Sequence, residues 1–114
     1  MALRKPMIYA VDFDGTLCEN AWPEIGTPNT HLIRVLNAFK EKGDRLILWT
    51  CRSGSKLTEA VEWCKERGLE FDAINENLPE IIAAFDGESR KIFANVYIDD
   101  LAVTPDLKFK EFVV

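Results

Sequence analysis

A chain of 114 residues is long enough for one domain and leaves little room for a second. With 47% hydrophobic and 29% charged residues it has the balance of an ordinary globular protein, which excludes a wholly disordered chain. A net charge of −5 excludes a basic field that gathers DNA or RNA unspecifically, although a local basic pocket still suits one phosphate.

The three cysteines, Cys18, Cys51 and Cys64, are odd in number and lack metal-ligand spacing, so reduced thiols in a cytoplasmic protein are expected. The start, Met1 to Pro6, is basic like that of a signal peptide. The apolar run after it, Met7 to Val11, ends at Asp12 and is too short for the hydrophobic part of such a signal. No stretch approaches the ~18 apolar residues of a membrane span, so no membrane partner is expected.

The elements alternate along the chain. Met7 to Val11 reads as a strand covered on both faces. Leu17 to Pro28, punctuated by Pro23, Gly26 and Pro28, reads as a long irregular stretch. Asn29 or Thr30 then caps a helix carrying Leu32, Val35, Leu36 and Phe39, with Gly43 as its stop. Arg45 to Trp49 is a second buried strand, and Ser55 caps a helix with Leu57, Val61 and Cys64 on one face, ending at Gly68. Phe71 to Ile74 is a short third strand. Pro79 opens a third helix, and Asn95 to Ile98 is a fourth strand.

Such alternation predicts a single-domain α/β fold, doubly wound and Rossmann-like, with a mostly parallel sheet across residues 1–114. Ligands of these sheets bind beyond the carboxyl ends of the strands. Three polar clusters follow strands directly here: Asp12-Phe-Asp14-Gly15-Thr16, Thr50-Cys-Arg52 and Asp99-Asp100.

Asp12 and Asp14 stand two residues apart at a strand end, where two carboxylates repel unless a cation lies between them. A hard divalent ion with oxygen ligands fits that need. Once a metal neutralises the site, a phosphate dianion can approach a carboxylate nucleophile. Gly15 permits a sharp turn and Thr16 can bond the local backbone. A calcium EF-hand loop also starts Asp-x-Asp, but it needs Gly and Glu where this chain has Leu17 and Pro23.

Val11-Asp12-Phe-Asp14-Gly-Thr16-Leu17 resembles the first signature of the haloacid dehalogenase (HAD) superfamily, most of whose members are phosphatases. Leu46-Ile-Leu-Trp-Thr50 is similar to the second, Lys91 is the best match to the third, and Ile98-Asp99-Asp100 to the fourth. The resemblance spans Met7 to about Val103. It implies that Asp12 attacks phosphorus to form an aspartyl-phosphate, and that Asp14 protonates the leaving oxygen and then activates water. It implies that Thr50 and Lys91 bind the phosphate, with Arg90, Lys56 or Arg52 as other sources of that charge. Mg²⁺ would be held by the Asp12 carboxylate, the Asp14 carbonyl and a fourth-signature carboxylate. Asp100 is favoured as direct ligand with Asp99 as its partner, and the reverse stays open. The superfamily's dehalogenases lack the acid at Asp14, so its presence favours phosphate esters.

The intervals Leu17 to Asp44 and Ser53 to Arg90 are filled by core elements, so no cap domain is expected. The expected strand order is third, second, first, fourth. Specificity at an uncapped site has to come from the flap after the first signature, a homo-oligomer partner or a large substrate. Arg52 is either a substrate contact or a loop surface charge. Trp22 is either a substrate wall or flap packing. Cys51 reads as a packed loop residue and His31 as a surface one. The expected function is a Mg²⁺-dependent phosphohydrolase of a phosphorylated small molecule. The alternatives are a phosphotransferase or nucleotide or polynucleotide phosphatase on the same fold, or a non-catalytic phosphate-binding module such as a receiver domain. A receiver needs an Asp after the third strand, where this chain has Asn75.

Overall fold

The computed structural model describes residues 5–102; residues 1–4 and 103–114, with the expected end of the resemblance at Val103, lie outside them. Four strands form a parallel sheet in the order β5-β4-β1-β6: β1 Ile8–Val11, β4 Arg45–Leu48, β5 Ala73–Ile74 and β6 Val96–Ile98. This is the expected order, with the strand that ends at Asp12 in the interior of the sheet.

Side chains of a strand alternate between faces, and the two cores follow that alternation. Val11, Leu46 and Leu48 join Ile33 and Leu36 of helix α1 (Thr30–Glu41) and Ala60 and Cys64 of helix α2 (Gly54–Glu66). Ala10, Ile47 and Ala73 face the other way, toward Leu78, Ile92 and Ala94, with Ile81 of the short helix α3 (Pro79–Ala84) packed against them. Helices thus cover both faces of one sheet, which defines an α/β, doubly wound architecture.

Helix α1 starts where Asn29 Oδ1 accepts the Leu32 N–H at 3.1 Å, while the Asn29 amide donates to the Thr16 carbonyl at 3.1 Å. The cap therefore ties the helix to the Asp12 loop. Helix α2 starts at Gly54 with Ser53 as its N-cap, two residues before the expected Ser55.

Two further differences have plain physical causes. Leu17 to Pro28 is not irregular: Cys18–Ala21 (β2) and Glu24–Pro28 (β3) form an antiparallel hairpin with a bulge between Cys18 and Asn20. Pro23 sits in its turn and Pro28 at a strand end, places a ladder tolerates. Gly26 is needed because a Cβ there would overlap the Glu19 carbonyl. The third strand begins at Ala73 rather than Phe71. Asp72 Oδ2 accepts the Leu46 N–H at 2.8 Å, so a side chain takes the place of a ladder carbonyl. Among the described residues no helix is long and apolar enough to cross a membrane.

Candidate functional site

The parallel register brings the strand ends together. The Asp12 N–H donates to the Ile98 carbonyl at 2.9 Å, the Trp49 N–H to Val11 at 2.9 Å and the Asn75 N–H to Leu48 at 2.7 Å. Asp12, Thr50, Asn75 and Asp99 therefore share the carboxyl edge of the sheet.

Each of Asp12, Asp99 and Asp100 offers a carboxylate oxygen, and these atoms lie within 4.8 Å of one another. Burial is the largest influence on Asp12 and lifts its carboxyl from the ordinary 3.8 to about 6. Asp99 and, less strongly, Asp100 push the same way, against hydrogen bonds from the Phe13 backbone and the Thr16 hydroxyl. That hydroxyl donates to Asp12 Oδ2 at 3.3 Å. Gly15 has φ +84°, and a Cβ on it would collide with the Asp100 carboxylate. The turn thus has the one residue type that lets Asp100 reach the Asp12 loop. Asp99 Oδ1 accepts the Leu101 N–H at 3.0 Å. An oxygen-only set of this kind fits a hard cation such as Mg²⁺, and the like charges it gathers are those a cation relieves.

Asp14 stands apart from this cluster. Its carboxylate is gripped by Arg52, with Nε donating to Oδ2 and Nη2 to Oδ1, both at 2.8 Å. The Arg52 side chain is only 1% exposed. It is not a loop surface charge, which corrects that sequence-based reading of this residue, and its ionic partner is Asp14. The Asp14 hydrogen bond raises the guanidinium further above its ordinary value, against the burial that lowers it.

Thr50 is half-buried at the end of β4. Its N–H donates to Asn75 Oδ1 at 2.8 Å and its hydroxyl oxygen accepts the Arg52 N–H at 3.1 Å. Asn75 was not among the expected site residues. It has φ +54°, a conformation asparagine tolerates better than most residues, and an Asn closing a strand is the signal that could have found it. Lys91 is exposed and lines, with Asp12, Trp49, Tyr97 and Asp99, a cleft of about 620 Å³; its ammonium lies 5.7 Å from the Tyr97 ring centre. Of the rival cations, Arg52 is bonded to Asp14 and Lys56 is 3.5 Å from Glu59.

Trp22 sits at the hairpin turn, 57% exposed, with its ring 4.9 Å from the Arg52 guanidinium carbon. Cys51 is exposed rather than packed, and burial pushes the Cys64 thiol up to about 12. His31 is exposed, as expected.

The fold and site define an α/β domain with a carboxylate cluster at the carboxyl edge of a parallel sheet. No protein-family model matches the chain, and no curated protein does. A solved structure does, that of a conserved protein coded by a locus from Bacteroides thetaiotaomicron. It is 44% identical, with a TM-score of 0.78 over 90% of this chain and 84% of that one. The chain belongs to the family of that protein.

Proposed function

We propose that this chain is a Mg²⁺-dependent phosphohydrolase of the haloacid dehalogenase type, without a cap domain, acting on phosphate monoesters of small molecules. The observation that carries the reading is the meeting of Asp12, Asp99 and Asp100 oxygens within 4.8 Å at one sheet edge, with the second acid, Asp14, held outside that group. One carboxylate set suited to a cation and one separate carboxyl group are the two parts this chemistry needs.

In this reading an Asp12 oxygen attacks phosphorus, the P–O bond to the leaving group breaks, and the proton of the Asp14 carboxyl passes to the leaving oxygen. Water then gives a proton to the Asp14 carboxylate and attacks the aspartyl-phosphate. The Asp12–phosphorus bond breaks, releasing inorganic phosphate and restoring both groups. Thr50 donates to a phosphoryl oxygen, and Lys91 supplies positive charge from the shared cleft. The Asp12 carboxylate, the Asp14 carbonyl, and Asp100 or Asp99 would hold Mg²⁺, which when bound offsets the repulsion between carboxylate and phosphate dianion.

The test is hydrolysis of an aryl phosphate with Mg²⁺ and with excess chelator, beside intact-protein mass spectrometry of the Asp14→Asn variant. Turnover only with Mg²⁺, and a phosphoryl mass gain abolished by Asp12→Asn, are expected. Full activity in chelator would remove the metal, and an Asp12→Asn variant with more than about a tenth of the wild-type rate would remove the nucleophile.

A further inference from the structure

We infer that Arg52 is the positioning residue of Asp14, and that the β2–β3 hairpin acts on the acid–base group through it. The inference rests on the phosphohydrolase reading above.

A guanidinium that is almost fully buried has to have its charge and its donors met. Here they are met in one direction. Nε and Nη2 take the two Asp14 oxygens, Nη2 also donates to the Glu24 carbonyl at 3.1 Å, and Nη1 donates to the Lys56 carbonyl at 3.3 Å. Four of the five N–H groups are so used, leaving one for anything else. Two aromatic rings lie against the group as well. Phe13, next to Asp14 in the chain, lies 5.0 Å from the guanidinium carbon, and Trp22 of the hairpin lies 4.9 Å from it.

Arg52 therefore joins four pieces: the Asp12 loop, the hairpin, the end of β4 and the start of α2. Its own N–H reaches the Thr50 hydroxyl, so the residue placed to hold phosphate and the one that holds Asp14 are set by a single short loop. A paired fork fixes both position and plane of a carboxylate, which one point charge does not. Without it the Asp14 side chain would be free to rotate, and a cation held by Asp12, two residues back, with Asp99 and Asp100 would compete for it. The fork keeps Asp14 outside that cluster. The Trp22 ring and the Glu24 carbonyl, both of the hairpin, bear on the guanidinium, so a movement of the hairpin reaches Asp14 through Arg52.

The experiment is steady-state kinetics of Arg52→Met and Arg52→Lys on two substrates, an alkyl phosphate and an acidic aryl phosphate, together with the Arg52→Met/Asp14→Asn double variant. On the alkyl phosphate kcat should fall by roughly 100-fold or more with KM within about threefold, since a displaced acid loses most of its catalytic factor. On the aryl phosphate, which leaves unaided, the fall should stay under about 10-fold. Arg52→Lys should not rescue, because an ammonium keeps the charge and loses the fork. The double variant should be no slower than Asp14→Asn alone. Equal losses on both substrates, a loss confined to KM, or multiplying losses in the double variant would each overturn the inference and leave the phosphohydrolase reading standing. A wild-type chain with no turnover of either substrate and no mass gain overturns both. Should the Arg52 variants fail to fold, Trp22→Leu replaces them. It should show the same bias toward the alkyl phosphate at smaller size, and an unbiased loss counts against the inference.

Discussion

Replacing Asp12 by Asn should make the metal-free protein more stable at pH 8. The carboxyl is raised from 3.8 to about 6, so its ionised form is disfavoured in the folded chain. A difference of that size corresponds to about 3 kcal/mol if taken whole. The side chain is only partly buried, and solvent screening reduces the figure to roughly 1–2 kcal/mol. The sign follows from linkage. A carboxyl whose folded value lies above its unfolded value costs nothing below about pH 4, where both states are protonated. The cost appears as pH rises and is complete above the folded value of about 6. Thermal melts in chelator should thus place Asp12→Asn roughly 5–10 °C above wild type at pH 8, given the usual conversion for a domain of this size. The two curves should converge near pH 4. Adding Mg²⁺ should raise the wild-type melting temperature and leave the variant's nearly unchanged. A variant that melts below wild type at pH 8 would refute the claim that Asp12 is held at an electrostatic cost.

Two further outcomes follow from single contacts. Gly15→Ala puts a Cβ into the Asp100 carboxylate at a φ of +84°, so it should weaken Mg²⁺ binding measured by calorimetry about 10-fold or more, while destabilising the fold by roughly 1–2 kcal/mol. Unchanged affinity would separate Asp100 from the cation site. Burial raises the Asp72 carboxyl, yet the Leu46 N–H, Lys40 and Arg45 together hold it below its ordinary value. Asp72→Ala should therefore cost about 1–3 kcal/mol near neutral pH in denaturant melts, the range for losing a buried hydrogen-bond partner. The gap should narrow as pH falls through the lowered folded value, and a gap that widens in acid would contradict the assignment.

The strands were legible because a parallel sheet covered on both faces demands near-continuous apolar runs, and Ile8–Val11 and Arg45–Leu48 supply them. Asp12 stood out because a carboxylate directly after such a run has no structural reason to be there. The hairpin was not legible. Its strands, Cys-Glu-Asn-Ala and Glu-Ile-Gly-Thr-Pro, bury almost nothing and show no alternation, so their Pro and Gly residues read as loop. The helix start at Ser53 was hidden because that residue makes no side-chain cap bond and the next residue is a glycine. The partner of Arg52 was hidden for a different reason. Asp14 lies 38 residues away, and only the packing of β1 beside β4 makes the two neighbours. Local sequence carries periodicity and turn chemistry, whereas a buried ion pair is a property of the closed fold.

The strand order is what makes the site chemically coherent. β1 is an inner strand, so each neighbour delivers its own group next to Asp12: Thr50 and Arg52 follow β4, and Asp99 and Asp100 follow β6. β5, one strand further out, contributes Asn75, which holds Thr50 in place through its backbone N–H. The same inner position strips water from Asp12, and that loss of water is the largest cause of its raised carboxyl. A carboxylate kept partly dry is a costly resident and, once a cation offsets its charge, a better nucleophile than a fully hydrated one. On the proposed reading Asp14 needs the opposite treatment, a fixed place with a partner that holds it outside the carboxylate cluster, and Arg52 supplies that partner from the adjacent strand end. Two aspartates only two residues apart thus sit in different environments because segments from elsewhere in the sequence set Asp99 and Asp100 beside one and Arg52 against the other.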